Sequence, residues 1–283
     1  MFPERQLNQC WRSGIALALA FTTITFFATS HPVSARELPD LPAQKQSPAD
    51  TAGVAPVAES ARAPSRQKAF VYQSKLGKLP YLLYLPKDYE VDPNRQWPML
   101  VFLHGSSEAG KNAEVVKRQA LPKLLEGIED FPFVVLSPQA PSAGGWGYTT
   151  KAMGGLLDEI LANYHVDATR VSLTGWSMGG YGVWWMAKAM PDRFAALVPV
   201  AGGYIYNAKQ LCPVSNIPTW VFHGKKDRNV QFFQSDVVVK ALKACGGSPI
   251  FTVYDDAEHY MAVDRAYKDP ELYKWLLEQK RAN

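Results

Sequence analysis

The stretch Thr174-Gly175-Trp176-Ser177-Met178-Gly179-Gly180 constrains this chain more than any other. An apolar run, Val171-Ser172-Leu173, leads into it and reads as a buried strand. The segment 181–190 follows and reads as a helix. A serine on so tight a strand-to-helix turn is lifted above the edge of a sheet. Gly175 and Gly179 leave room for the strand and helix backbones to pass close by. The helix that starts there points unpaired N–H groups at the serine. Gly-x-Ser-x-Gly alone arises by chance in roughly one chain in ten of this length. The partners of Ser177 therefore decide its meaning.

From Lys68 onward the pattern is α/β. Strands are expected at 69–74 and 79–85, a hairpin around Gly77, then at 98–104, 133–137, 171–174, 196–201, 219–223 and 250–254. Helical patterns are expected at 113–127, 155–164, 178–190, 231–245 and 270–281. Later strands that are apolar throughout, alternating with helices, imply a mostly parallel sheet covered on both faces. Another doubly wound fold is the competing reading, and no glycine-rich nucleotide loop supports it.

A serine hydroxyl needs a base to take its proton and an acid to orient that base. When the serine sits on such a turn, the chain order is serine, acid, histidine. Only His223 and His259 follow Ser177. His259 lies five residues past the eighth expected strand, in a loop at the sheet edge where Ser177 sits, and is the candidate base. The loop after the seventh strand carries Asp227, the candidate acid; its other reading is a cap for the helix that follows. Asp192, Asp255, Asp256 and Asp264 compete, but none lies in that loop. His223 is expected to order the loop.

Charge developing on a carbonyl oxygen needs two backbone donors. The N–H of Met178, at the helix start, is one. The other is expected in His104-Gly105-Ser106-Ser107, after the third strand, from Ser106 first and Ser107 next. His104 is expected to brace that loop.

Leu103-His104-Gly105, Gly175-Trp176-Ser177-Met178-Gly179-Gly180, Phe222-His223-Gly224-Lys225-Lys226-Asp227 and Glu258-His259 together resemble a secreted α/β-hydrolase. The likeness is to esterases and peptidases of the group that includes feruloyl esterases, polyhydroxybutyrate depolymerase-like enzymes and bacterial predicted peptidases. It covers residues 68–281 and implies an eight-stranded α/β-hydrolase fold, with Ser177 as nucleophile, Asp227 as acid and His259 as base. Many such proteins carry glycine where this chain has Ser107.

The N-terminus reads as a targeting segment. Arg5 and Arg12 precede an uncharged stretch at 15–29, and Val33-Ser34-Ala35 supplies the small residues of a cleavage site. The apolar run is shorter than the roughly 20 residues a spanning helix needs. The expected division is a signal peptide at 1–35, a disordered, proline-rich linker at 36–66 and an α/β-hydrolase catalytic domain at 67–283, secreted or periplasmic and without stable membrane insertion. Cys212 and Cys245 then form the even pair expected to bond in an oxidising compartment. No cysteine and histidine cluster has metal spacing, and no cofactor is expected. The net charge of +4 is spread without a basic stripe, which sets nucleic acid aside.

Trp146, on a glycine-rich loop after the fourth strand, and Trp176, beside the serine, are candidate substrate-stacking residues. Only residues 202–218 follow the sixth strand, too short for a substantial lid. The expected activity is ester hydrolysis through an acyl-enzyme on Ser177, with a small or polymeric ester as substrate. A serine peptidase and a non-catalytic binding protein of the same fold are the alternatives. The acyl group, the alcohol and the oligomeric state stay open.

Overall fold

The computed structural model describes residues 65–204 and 207–282. The expected signal peptide at 1–35 and nearly all of the expected linker at 36–66 lie outside the described residues. The described chain builds one eight-stranded sheet in the order β1-β2-β4-β3-β5-β6-β7-β8. Its strands are β1 (Gln67–Ser74), β2 (Gly77–Tyr84), β3 (Trp97–Leu103), β4 (Val134–Pro138), β5 (Val166–Trp176), β6 (Ala196–Val200), β7 (Trp220–Gly224) and β8 (Ile250–Tyr254). β1 and β2 form an antiparallel hairpin, and β2 also runs antiparallel to β4. Every later pairing is parallel. This is the α/β-hydrolase fold.

Helices α1 (Ala120–Leu125), α2 (Thr150–Asn163), α3 (Met178–Ala189), α4 (Phe233–Ala244), α5 (His259–Lys268) and α6 (Pro270–Glu278) cover the sheet. Residues along the fully buried β3 alternate between two cores. Met99, Val101 and Leu103 join the apolar faces of α2, α3 and α4. Leu100 and Phe102 join those of α1, α5 and α6. A strand buried on both faces must be apolar at every position, and Trp-Pro-Met-Leu-Val-Phe-Leu meets that demand.

Two expected elements take different form. The run expected as one helix at 113–127 is a 3-10 turn, Ala113–Arg118, followed by α1. Extended backbone at Gln119 (φ -138°) and a left-handed Ala120 (φ 51°) divide them, and Pro122 fits because it falls in the first turn of α1, where its missing N–H has no partner to lose. The residues after β8 do not stay in a loop, because His259 itself opens α5. Ala262, Val263, Ala266 and Tyr267 bury one face of that helix, at the spacing of an amphipathic helix.

After β6, the described residues form a 3-10 helix at Ala208–Val214, tied to the end of α4 by a Cys212–Cys245 disulfide. The expected cysteine pairing is therefore present.

Candidate active site

Ser177 stands between β5 and α3 with φ 53° and ψ -118°, a conformation that side chains other than glycine rarely adopt. The strain is held by close packing around it. The Ser177 N–H donates to the Val200 carbonyl at 3.0 Å, and the Tyr181 N–H donates to the Ser177 carbonyl at 3.1 Å. A side chain at Gly179 would put its Cβ 1.9 Å from the Leu103 carbonyl oxygen. One at Gly175 would meet the Gly179 carbonyl oxygen at 2.6 Å. The glycines of the motif are therefore required by contact between the turn and the end of β3.

The same contact brings the loop after β3 to the serine. Gly105 lies so close to Trp176 that a Cβ there would be 2.6 Å from the indole ring. Ser106 opens a 3-10 turn, Ser106–Glu108, and Met178 opens α3. N–H groups at such starts have no acceptor within their own turn. Both expected donors thus sit at element starts on adjoining segments.

Two buried side chains hold the loop. His104 is neutral at pH 7, because burial lowers its pKa to about 4 against the opposing pull of the Gly105 carbonyl. The Ala140 N–H donates to His104 Nε2 at 2.9 Å, so Nδ1 carries the proton and donates to the Gly105 carbonyl at 2.5 Å. This is the bracing role expected of His104. Glu108, only 2% exposed, accepts from the Gly105 N–H at 3.0 Å and from the Ser107 hydroxyl. Burial pushes the Glu108 carboxyl above the ordinary range, while the Ser107 and Gly105 bonds and the charge of Arg118 pull the other way. Glu108 escaped the sequence reading, which weighed backbone donors there and not the acid three residues past Gly105.

Asp227 and His259 meet. His259 Nδ1 lies 2.6 Å from Asp227 Oδ2, and both residues are buried. Their loops are fastened together: a Cβ on Gly224 would lie 2.3 Å from the Ala257 carbonyl oxygen, and the Lys226 N–H donates to that carbonyl at 3.1 Å. The other carboxylate oxygen of Asp227 accepts from the N–H groups of Asn229 at 2.9 Å and Val230 at 2.8 Å. Burial would raise the Asp227 pKa. Hydrogen bonds from His223, His259 and the Val230 N–H overcome that and hold it well below the usual carboxylate range. Asp227 is thus ionised at neutral pH. The acceptor it presents to Nδ1 fixes the imidazole with Nδ1 protonated and Nε2 available as a base. The ring of His259 is 5.8 Å from that of Trp176, the residue before the serine.

His223 is fully buried, with Nδ1 2.7 Å from the Ser235 hydroxyl and Nε2 donating to the Val230 carbonyl at 2.8 Å. Nε2 also lies 3.4 Å from Asp227 Oδ2. His223 orders the loop that carries Asp227, as expected.

The expected stacking roles of Trp146 and Trp176 do not hold. Trp146 is 1% exposed and donates from Nε1 to the His104 carbonyl at 3.1 Å. Its ring fills the space over Gly182, where a Cβ would come within 2.7 Å of it. Trp176, at 2% exposure, packs beneath His259. Tyr260 does reach solvent, 55% exposed, with its ring 5.4 Å from that of His259. Its place beside the candidate base made it legible in the sequence, but the loop expected there hid the helical turn that presents it.

The chain is similar to several known proteins. A model of the prolyl oligopeptidase family matches residues 153–207, which take in most of α2 and all of β5, the Ser177 turn, α3 and β6. The chain is 25% identical over 204 residues to a poly(3-hydroxyoctanoate) depolymerase of Pseudomonas fluorescens, covering 62% of this chain and 68% of that one. It is 22% identical over 217 residues to dipeptidyl peptidase family member 1 of Caenorhabditis elegans, covering 64% of this chain but only 27% of that one. Among solved structures, a thermostable esterase superposes with a TM-score of 0.66 at 30% identity, covering 76% of this chain and 64% of that one. The feruloyl esterase module of Clostridium thermocellum, bound to sinapinate, superposes at 0.61 and 16% identity, covering 78% and 91%. The chain is an α/β-hydrolase of the esterase- and peptidase-like, serine type.

Proposed function

We propose that this α/β-hydrolase cleaves carboxylic esters through an acyl-enzyme on Ser177. His259 takes the serine proton as the hydroxyl attacks the ester carbonyl, and Asp227 holds the imidazole in the tautomer with Nε2 free. The N–H groups of Met178 and Ser106 stabilise the oxyanion that forms. The alkoxide leaves with the proton carried by His259. Water, deprotonated by the same imidazole, then attacks the acyl carbonyl, and collapse of the second tetrahedral species returns the proton to Ser177 and frees the acid.

The observation that carries this reading is the 2.6 Å contact between His259 Nδ1 and Asp227 Oδ2 at the sheet edge where strained Ser177 stands. The similarity to a poly(3-hydroxyoctanoate) depolymerase and to a thermostable esterase favours esters over amides. Export is part of the proposal, and the Cys212–Cys245 bond supports it, since such bonds persist in oxidising compartments.

Replacing Ser177 with Ala, in protein whose circular dichroism is unchanged, should abolish hydrolysis of 4-nitrophenyl butyrate. Unchanged turnover would end the reading. The match to the prolyl oligopeptidase family model keeps a peptidase as the second reading. Aminoacyl 4-nitroanilides separate the two: faster turnover of the anilides than of the matched esters would favour the peptidase.

A further inference from the structure

A concavity opens beside the candidate base. It holds about 690 Å³ and lies between the Ala113–Arg118 turn, α1 and α5. Its floor is apolar, with Val263 and Tyr267 buried and Leu124 half-buried. Tyr260 lines it and also flanks His259 and Trp176, with ring separations of 5.4 Å and 5.7 Å, so the cleft abuts the candidate base.

The rim is basic. Lys117, Arg118, Lys123 and Lys268 contribute to it, against Glu126 and Asp264. Two of these cations are already paired, Lys117 with Glu114 and Lys268 with Asp264, each at 2.8 Å. Among the described residues, Arg118 and Lys123 make no ion pair within 4.0 Å. Arg118 is also tied to the serine side of the site, because its charge acts on the Glu108 carboxylate that holds the loop after β3.

We propose that this cleft binds a carboxylate carried by the substrate, so that the preferred esters bear an anionic group on the acyl or the alcohol portion, with Arg118 and Lys123 as its partners. The proposal rests on the ester-hydrolase reading. A guanidinium meets a carboxylate with two parallel hydrogen bonds, and a neighbouring ammonium adds a third donor. The apolar floor takes the methylenes or ring that separate the carboxylate from the ester. A neutral substrate would leave both cations without a partner.

Two pairs of esters test this. Mono-4-nitrophenyl adipate against its methyl ester places the charge on the acyl side; 4-acetoxybenzoate against its methyl ester places it on the alcohol side. The protein should favour the anionic member of at least one pair by roughly tenfold in kcat/KM, the scale of one charge-assisted contact. The double substitution Arg118→Glu and Lys123→Glu should reverse that preference. Lys240→Ala, an exposed change on α4, should leave it alone. Taking a ratio within each pair cancels any effect of the substitutions on the Ser106 loop. Turnover of all four esters with the same ratio in both proteins, or preference for the neutral member of both pairs, would overturn this proposal and leave the ester reading standing. No turnover of any of the four would remove both.

Discussion

Gly179→Ala tests whether the serine turn and the loop after β3 form one rigid unit. The added methyl would stand 1.9 Å from the Leu103 carbonyl oxygen, 2.6 Å from its carbon and 2.8 Å from the His104 carbonyl oxygen. Ordinary contacts begin near 3.4 Å, so the two backbones must part by more than an ångström. Neither can yield by rotating a side chain, because all three atoms are backbone. Overpacking of this kind costs about 1–3 kcal/mol. For a domain of this size that lowers Tm by roughly 2–12 °C. The effect on activity should be larger than the effect on folding. The displaced segment leads into Ser106, and an ångström of misplacement in a catalytic constellation costs on the order of 10²-fold. The control is Gly147→Ala, where a Cβ meets nothing within 4 Å. Thermal unfolding followed by circular dichroism gives the stability term, and kcat/KM for 4-nitrophenyl butyrate at a temperature where both variants are folded gives the other. If Gly179→Ala matched Gly147→Ala in kcat/KM, the loop after β3 would have no part in the reaction.

Asp227→Asn removes the acceptor that fixes His259, and kcat should fall on the order of 10⁴-fold, as in a triad with its imidazole in the wrong tautomer; a loss under tenfold would assign the orienting role elsewhere. Because the Asp227 pKa is depressed by folding, its contribution to stability is present above the unfolded value near 4 and is lost as pH falls below it. Urea midpoints from pH 7 to pH 3 should therefore fall more steeply for wild type than for Asp227→Asn, and parallel curves would contradict that. Glu108→Gln keeps the side chain's shape but weakens its hold on the Gly105 N–H and the Ser107 hydroxyl. It should lower kcat roughly tenfold with KM little changed, the mark of an interaction made in the transition state; a change confined to KM would place Glu108 in substrate binding. Replacing Cys212 and Cys245 with Ser reopens a loop spanning 33 positions and should cost about 3–4 kcal/mol in denaturant unfolding without changing kcat; equal midpoints would show that the bond does not constrain the unfolded chain.

The serine, acid and histidine were legible because each follows a strand and the chain order is fixed by the fold. Every expected strand formed. β5 extends back to Val166, into Asp167-Ala168-Thr169-Arg170, whose polarity hid it. Its extra pairing, Trp97 with Val166, is separated from the main register by an irregularity between Trp97 and Met99. The missed helix, α5, had a readable apolar stripe, Ala262, Val263, Ala266 and Tyr267. The two tryptophans were misread for a physical reason. A glycine-rich loop suggests an exposed aromatic, yet Gly182 on α3 opens a space that only tertiary packing reveals, and Trp146 fills it. Glu108 was hidden likewise, since an acid in a loop reads as solvated until the loop folds over it.

The central claim is that Ser177 is the nucleophile. Labelling with a fluorophosphonate, read by intact mass and peptide mapping, tests it most directly. One adduct per chain on the peptide carrying Ser177, absent from Ser177→Ala and slowed by a competing ester, is the expected result. An adduct on another residue, or no adduct in protein that still turns over esters, would contradict it.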